Sequence, residues 1–199
     1  MIIGNKVYLR PIVREDLANL NRWRNDEDTF RYLGGGFMPV SIDLQERWLD
    51  SYIDTTGNDK RFIICVREND EPIGMIGLYN IGWIHRVCEI GLFIGEKGAR
   101  GKGYAAEACR LLEHFAFKYL NLRKIKLSVV ADNQLALKLW KSLGYREIGE
   151  HVAERFIDGA YRNVILMEKF AENSSGGGVR LSSCLSCFDP FPAEGCWAA

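Results

Sequence analysis

Glycines and cations alternate between Gly95 and Gly103, in the order Gly95, Lys97, Gly98, Arg100, Gly101, Lys102, Gly103. An apolar, β-rich run precedes them (Ile90, Leu92, Phe93, Ile94), and Tyr104-Ala105-Ala106-Glu107-Ala108 after them reads as a helix. A strand, a basic glycine loop and a helix N-terminus together make an anion site. Glycines let backbone N–H groups converge without a Cβ in the way, and the helix end adds partial positive charge. A phosphate or pyrophosphate suits such a site.

Two common phosphate loops do not fit. The loop lacks the Gly-Lys-Ser/Thr ending of an ATP-binding loop, and position 106, three residues beyond Gly103, is Ala rather than the glycine of a dinucleotide fingerprint. What the residues do match is Arg-x-x-Gly-x-Ala, at Arg100, Gly103 and Ala105. This resembles the acetyl-CoA pyrophosphate loop of the GCN5-related N-acetyltransferases (GNAT). The surrounding IGEKGARGKGYAAEA is similar to the branch holding ribosomal-protein N-terminal and spermidine acetyltransferases. A second segment, Asn133-x-x-Ala136-x-x-x-Trp140-x-x-x-Gly144-Tyr145, resembles that family's second motif, and LRP…EDL…L…WRND resembles the branch's opening. The resemblance spans residues 7–170.

The resemblance implies transfer of acetyl from acetyl-CoA, as co-substrate, to a primary amine by direct attack. It assigns coenzyme A to Leu92, Phe93, Ile94, Arg100, Gly101, Lys102, Gly103, Tyr104, Ala105, Asn133 and Trp140. An amine of pKa about 10 must lose a proton before attack. Glu89 is the expected base, and His85 competes with a better-matched ordinary pKa. A backbone N–H freed by a bulge near Leu92–Ile94 would stabilise the oxyanion. Position 140 departs from the family, which carries Tyr there. An indole N–H cannot protonate a thiolate as a phenol does, which leaves water, Tyr104 or Tyr161 as the acid. Polyamine, protein N-terminus and amino-sugar remain open as acceptors. An acidic set (Asp26, Glu27, Asp28, Asp43, Glu46) is the expected cradle for a basic acceptor. The alternative is a non-catalytic acyl-CoA-binding or regulatory module on the same scaffold, which Trp140 would suit.

These residues need elements to hold them. Leu17, Leu20 and Trp23 predict an amphipathic helix over 14–23, and Ser41 caps another running from Ile42 to Ile53. Strands are predicted at 61–67 and 72–79 as a hairpin, at 88–94 before the glycine loop, and at 124–130. A helix follows over 134–141, then strands at 145–149, 152–157 and 164–170. Hairpins mixed with strand–helix units give an α/β fold with a mixed, mostly antiparallel central sheet flanked by helices. The resemblance adds that strands 88–94 and 124–130 splay apart to bind coenzyme A.

Across 199 residues, 26 basic and 26 acidic side chains cancel, so no bulk field favours nucleic acid or a membrane surface. No apolar run approaches a bilayer span and no leader is evident, so the expected location is cytoplasmic. Residues 1–170 read as one acetyltransferase domain, with a homodimer left open. Residues 171–199 read as a flexible, non-periodic tail of Gly, Ser, Cys and Pro that need not be native. Its Cys184, Cys187 and Cys196 lack a nearby histidine, so no metal is expected.

Overall fold

A computed structural model describes residues 1–33, 36–52 and 57–171. Eight strands form one sheet: β1 (Ile2–Ile3), β2 (Val7–Arg10), β3 (Lys60–Val66), β4 (Pro72–Gly82), β5 (Val87–Ile94), β6 (Lys124–Val130), β7 (Arg146–Ile157) and β8 (Ala160–Phe170). Their spatial order is β1-β2-β3-β4-β5-β6-β8-β7. Every neighbouring pair is antiparallel except β5 and β6. That parallel pair requires a crossover, which the glycine loop and helix α4 (Tyr104–His114) supply.

Alternation along the strands gives the sheet two buried faces. On one, Ile64, Ile76, Leu78, Cys88 and Ile90 pack with Ala108, Cys109 and Leu112 of α4 and with Leu137 and Trp140 of α5 (Gln134–Ser142). On the other, Ile63, Cys65 and Phe93 pack with Leu20 and Trp23 of α1 (Leu17–Arg24) and Phe30 of α2 (Glu27–Phe30). Side chains as buried as Trp23 and Leu112 each contribute roughly 1.5–3 kcal/mol. Helix α3 (Ile42–Tyr52) begins where Ser41 Oγ accepts the Leu44 N–H at 3.2 Å, as its sequence predicts.

Three features depart from the sequence-based reading. Strands expected at 145–149 and 152–157 form the single strand β7, whose register shifts at Glu147/Gly149 and His151/Arg155 produced the apparent break. Residues 26–30, read only as part of an acidic set, contain α2, capped by Asp26 accepting from the Thr29 N–H at 3.0 Å. The long helix after the loop ends in a π-helical turn, Phe115–Tyr119. The tail and its three cysteines lie outside the described residues apart from Ala171. No described helix is long and apolar enough to cross a membrane.

Candidate active site

Strands β5 and β6 pair only over Val87↔Lys124, Cys88↔Ile125 and Glu89↔Lys126, then part. A cavity of about 460 Å³ opens in the gap, lined by Ile90, Gly91, Leu92 and Phe93 on β5 and Leu127, Ser128, Val129 and Val130 on β6. Asn133 at the N-cap of α5 and that helix's Ala136 and Trp140 reach it, as do Arg24, Tyr32, Arg61, Tyr79, Glu89 and Arg155.

The splay has a consequence for the backbone. Gly95 donates its N–H to the Ile73 carbonyl of β4 at 2.8 Å. Strand polar groups alternate sides residue by residue. Phe93, Gly91 and Glu89 therefore direct theirs at β4, while Ile90, Leu92 and Ile94 direct theirs at β6. With β6 turned away past Glu89, the Leu92 N–H faces the gap without a ladder partner, and the Ile94 N–H points to the same side of β5 just beyond the cavity lining. The expected bulge near Leu92–Ile94 is not there. Pairing with β4 runs without a shift from Gly74↔Ile94 to Tyr79↔Glu89, and the irregularity falls at Tyr79/Gly82. The parting of β5 and β6 exposes donors that a bulge was expected to free.

Beyond β5, residues Lys97–Ala99 form a short 3-10 turn. Gly101 and Gly103 then adopt φ of 77° and 82°, and Gly103 is the N-cap of α4. This left-handed backbone explains glycine at both positions. Arg100 is not a free cation. Its Nη2 donates to Thr29 Oγ1 at 2.8 Å and its Nε to the Ile94 carbonyl at 3.2 Å, so it braces the loop against α2 and β5. Lys102 and Tyr104 line a neighbouring surface pocket with Lys6 and Arg67. Asn133 Oδ1 caps α5 by accepting the Ala136 N–H at 3.2 Å, leaving its NH₂ as the donor end.

Glu89 stands at the cavity on the sheet face covered by α1–α3, since it is in register with Tyr79, and Gly91 with Gly77 and Arg61. Its carboxylate meets Lys126 Nζ at 3.1 Å and remains 41% exposed, so it is reachable by an incoming amine. His85 is not brought in. It is exposed in the β4–β5 turn and absent from the cavity lining. Trp140, 5% exposed, lies on the opposite face, edge-on to Tyr145 at 5.1 Å between ring centroids. Burial pushes the Tyr145 phenol well above its ordinary pKa, and its hydroxyl is sealed in, so it offers no proton. Tyr104 and Tyr161 also lie outside the cavity.

The acidic set does not build the cavity. Asp26 and Asp28 each hold Lys97 at 3.0 Å, and none of the five lines the gap. The sequence reading missed Arg24, Arg61, Arg155 and Tyr79. Tyr79 lies across the sheet where a Cβ on Gly77 would meet its Cζ at 2.9 Å and one on Gly91 would meet its Cε2 at 3.3 Å. Glycines facing each other across strands were the signal that a ring covers them. Burial raises the Tyr79 pKa to about 12, keeping the phenol neutral.

A parted strand pair with unpaired backbone donors, flanked by a glycine loop at a helix N-terminus, defines the acetyl-CoA-dependent N-acetyltransferase class. Residues 6–146 match the acetyltransferase (GNAT) domain, and the chain belongs to that family. It is 32% identical over 165 residues to spermidine N(1)-acetyltransferase of Escherichia coli (strain K12), covering 82% of this chain and 86% of that protein. It is 30% identical over 172 residues to the N-acetyltransferase p20 of Bacillus licheniformis, covering 83% and 96%. The fold matches the crystal structure of spermidine N-acetyltransferase from Vibrio cholerae in complex with CoA and spermine. The TM-score is 0.78 at 29% identity, over 84% of this chain and 96% of that one.

Proposed function

We propose that this N-acetyltransferase modifies a small-molecule primary amine at the β5–β6 gap, with Glu89 as the general base. The observation that carries the reading is the gap itself, which joins the α4/α5 face to the α1–α3 face at one place. Acetyl-CoA supplies the acyl group and the leaving thiolate. The backbone amides of 101–105 and the α4 N-terminus suit its phosphates, and the Ile94 N–H and the Asn133 NH₂ suit its pantetheine arm. The Glu89 carboxylate takes the amine proton, directly or through one water. The Leu92 N–H is a preorganised donor for the oxyanion. Trp140 packs beside the departing sulfur without transferring a proton, and water serves as the acid.

Similarity to enzymes whose names specify spermidine supports a small amine over a protein N-terminus. The test is thiol release from acetyl-CoA across a panel of primary amines. Amine-dependent release is expected; binding of acetyl-CoA with no release for any amine would contradict the proposal. We place the working domain in residues 1–170. A chain ending at Ala171, which keeps its N–H on the Arg123 carbonyl at 3.0 Å, is expected to retain turnover.

A further inference from the structure

We propose that the acceptor is an amine that also carries an anionic group, a carboxylate or a phosphate, held by Arg24, Arg61 and Arg155. This rests on the reading above of the β5–β6 gap as the transfer site. The three arginines come from the end of α1, from β3 and from β7, and all three line the same cavity as Glu89. Among the described lining residues Glu89 is the sole carboxylate, and Lys126 already holds it at 3.1 Å.

Two of the arginines have no carboxylate partner among the described residues. Arg24 lies over the Phe30 ring at 4.5 Å, and burial lowers its pKa without any compensating anion. Arg155 donates from Nη1 to the Tyr32 carbonyl at 3.1 Å. Arg61 does meet Asp59, at 2.8 Å, and lies over the Tyr79 ring at 5.0 Å, yet its buried Nε has no hydrogen-bond partner. Half-buried guanidinium groups without counter-ions are costly, and their planar forks match carboxylate and phosphate oxygens.

Coenzyme A is not the anion they await. None of residues 95–105, the phosphate loop, lines this cavity, and the arginine-bearing face is the one opposite α4 and α5. A polycation fits poorly, because a lining with three arginines and one carboxylate would repel it. The chain thus diverges in acceptor charge from relatives whose names specify spermidine.

The experiment measures kcat/KM by thiol release for matched amines: phosphoethanolamine against ethanolamine, β-alanine against propylamine, and spermidine. The anionic member of a pair is expected to exceed its neutral partner by about tenfold or more, the scale of a charge-assisted hydrogen bond. The pair with the larger ratio identifies phosphate or carboxylate. Arg24→Gln and Arg155→Gln should each erase most of that ratio through KM with acetyl-CoA affinity unchanged, and Arg155→Glu should raise spermidine turnover. Spermidine or neutral amines preferred by the unaltered enzyme would overturn the acceptor assignment while leaving the transfer reading intact. No release with any amine would overturn both. A ratio that persists in folded Arg24→Gln and Arg155→Gln enzymes would remove the arginines from the role.

Discussion

The two faces of the sheet are built in different ways. The face under α4 and α5 is assembled from two nearly contiguous pieces, β5–loop–α4 and β6–α5. The face under α1–α3 draws its cavity residues from α1, β3, β4, β5 and β7. A nucleotide-bearing co-substrate with a fixed shape can be served by backbone groups that a strand–loop–helix unit presents by itself. An acceptor is read by side chains, and those can come from anywhere the fold converges. The first face is built locally along the chain, and the second by convergence of distant segments.

Substitutions can break this comparison. The largest effect is expected at Glu89, where the faces meet. Glu89→Gln keeps size and hydrogen bonding but removes basicity, so kcat should fall by roughly 10²-fold or more. Acetyl-CoA affinity, measured by calorimetry, should not change. Near-normal turnover across the pH range would leave deprotonation to water.

Next is Gly103, on the α4/α5 side. Its φ of 82° makes a β-carbon cost about 1–2 kcal/mol in this loop conformation, so an alanine favours a relaxed loop whose amides no longer converge. Gly103→Ala should therefore weaken acetyl-CoA binding by about tenfold, with kcat at saturation retained and the circular-dichroism spectrum unchanged. Proline would be a poor probe here, because its ring cannot adopt positive φ. Unchanged affinity in Gly103→Ala would move the phosphates away from α4.

The loop and the second motif were legible because their chemistry is local. Glycines at Gly101 and Gly103, a helix opening at Tyr104 and a cap at Asn133 are short-range patterns with short-range causes. Arg61 and Arg155 were not legible, since neither position advertises a site. Arg61 reads as the edge of a strand, and Arg155 sat in a strand whose register shifts hid its continuity. Asp26 and Asp28 misled for the complementary reason. Their charge suggested a cation, and the cation proved to be Lys97 of the same chain. Likewise the oxyanion donor was sought in a bulge because alternation within one strand does not say where its neighbour leaves it.

Trp140 carries the smallest expected effect. It is packed, 5% exposed, against Tyr145, at the position where the sequence resemblance implied a phenol. Trp140→Phe should lower thermal stability by about 1–2 kcal/mol through lost packing. It should lower kcat by less than ~3-fold, because no proton transfer is removed. A large fall in kcat with acetyl-CoA affinity intact would show that the indole N–H stabilises the sulfur. Trp140→Tyr, which reinstates a phenol, would then separate donation of a hydrogen bond from donation of a proton.

The central claim is that coenzyme A is held by backbone on one face while the acceptor side stays open on the other. Residue-resolved amide hydrogen exchange, with and without coenzyme A, tests it most directly. The expected result is slowed exchange at Ile94 and residues 101–105, with the amides of Arg61, Tyr79 and Arg155 unchanged. Slowed exchange at Arg61, Tyr79 and Arg155, with residues 101–105 unaffected, would contradict it.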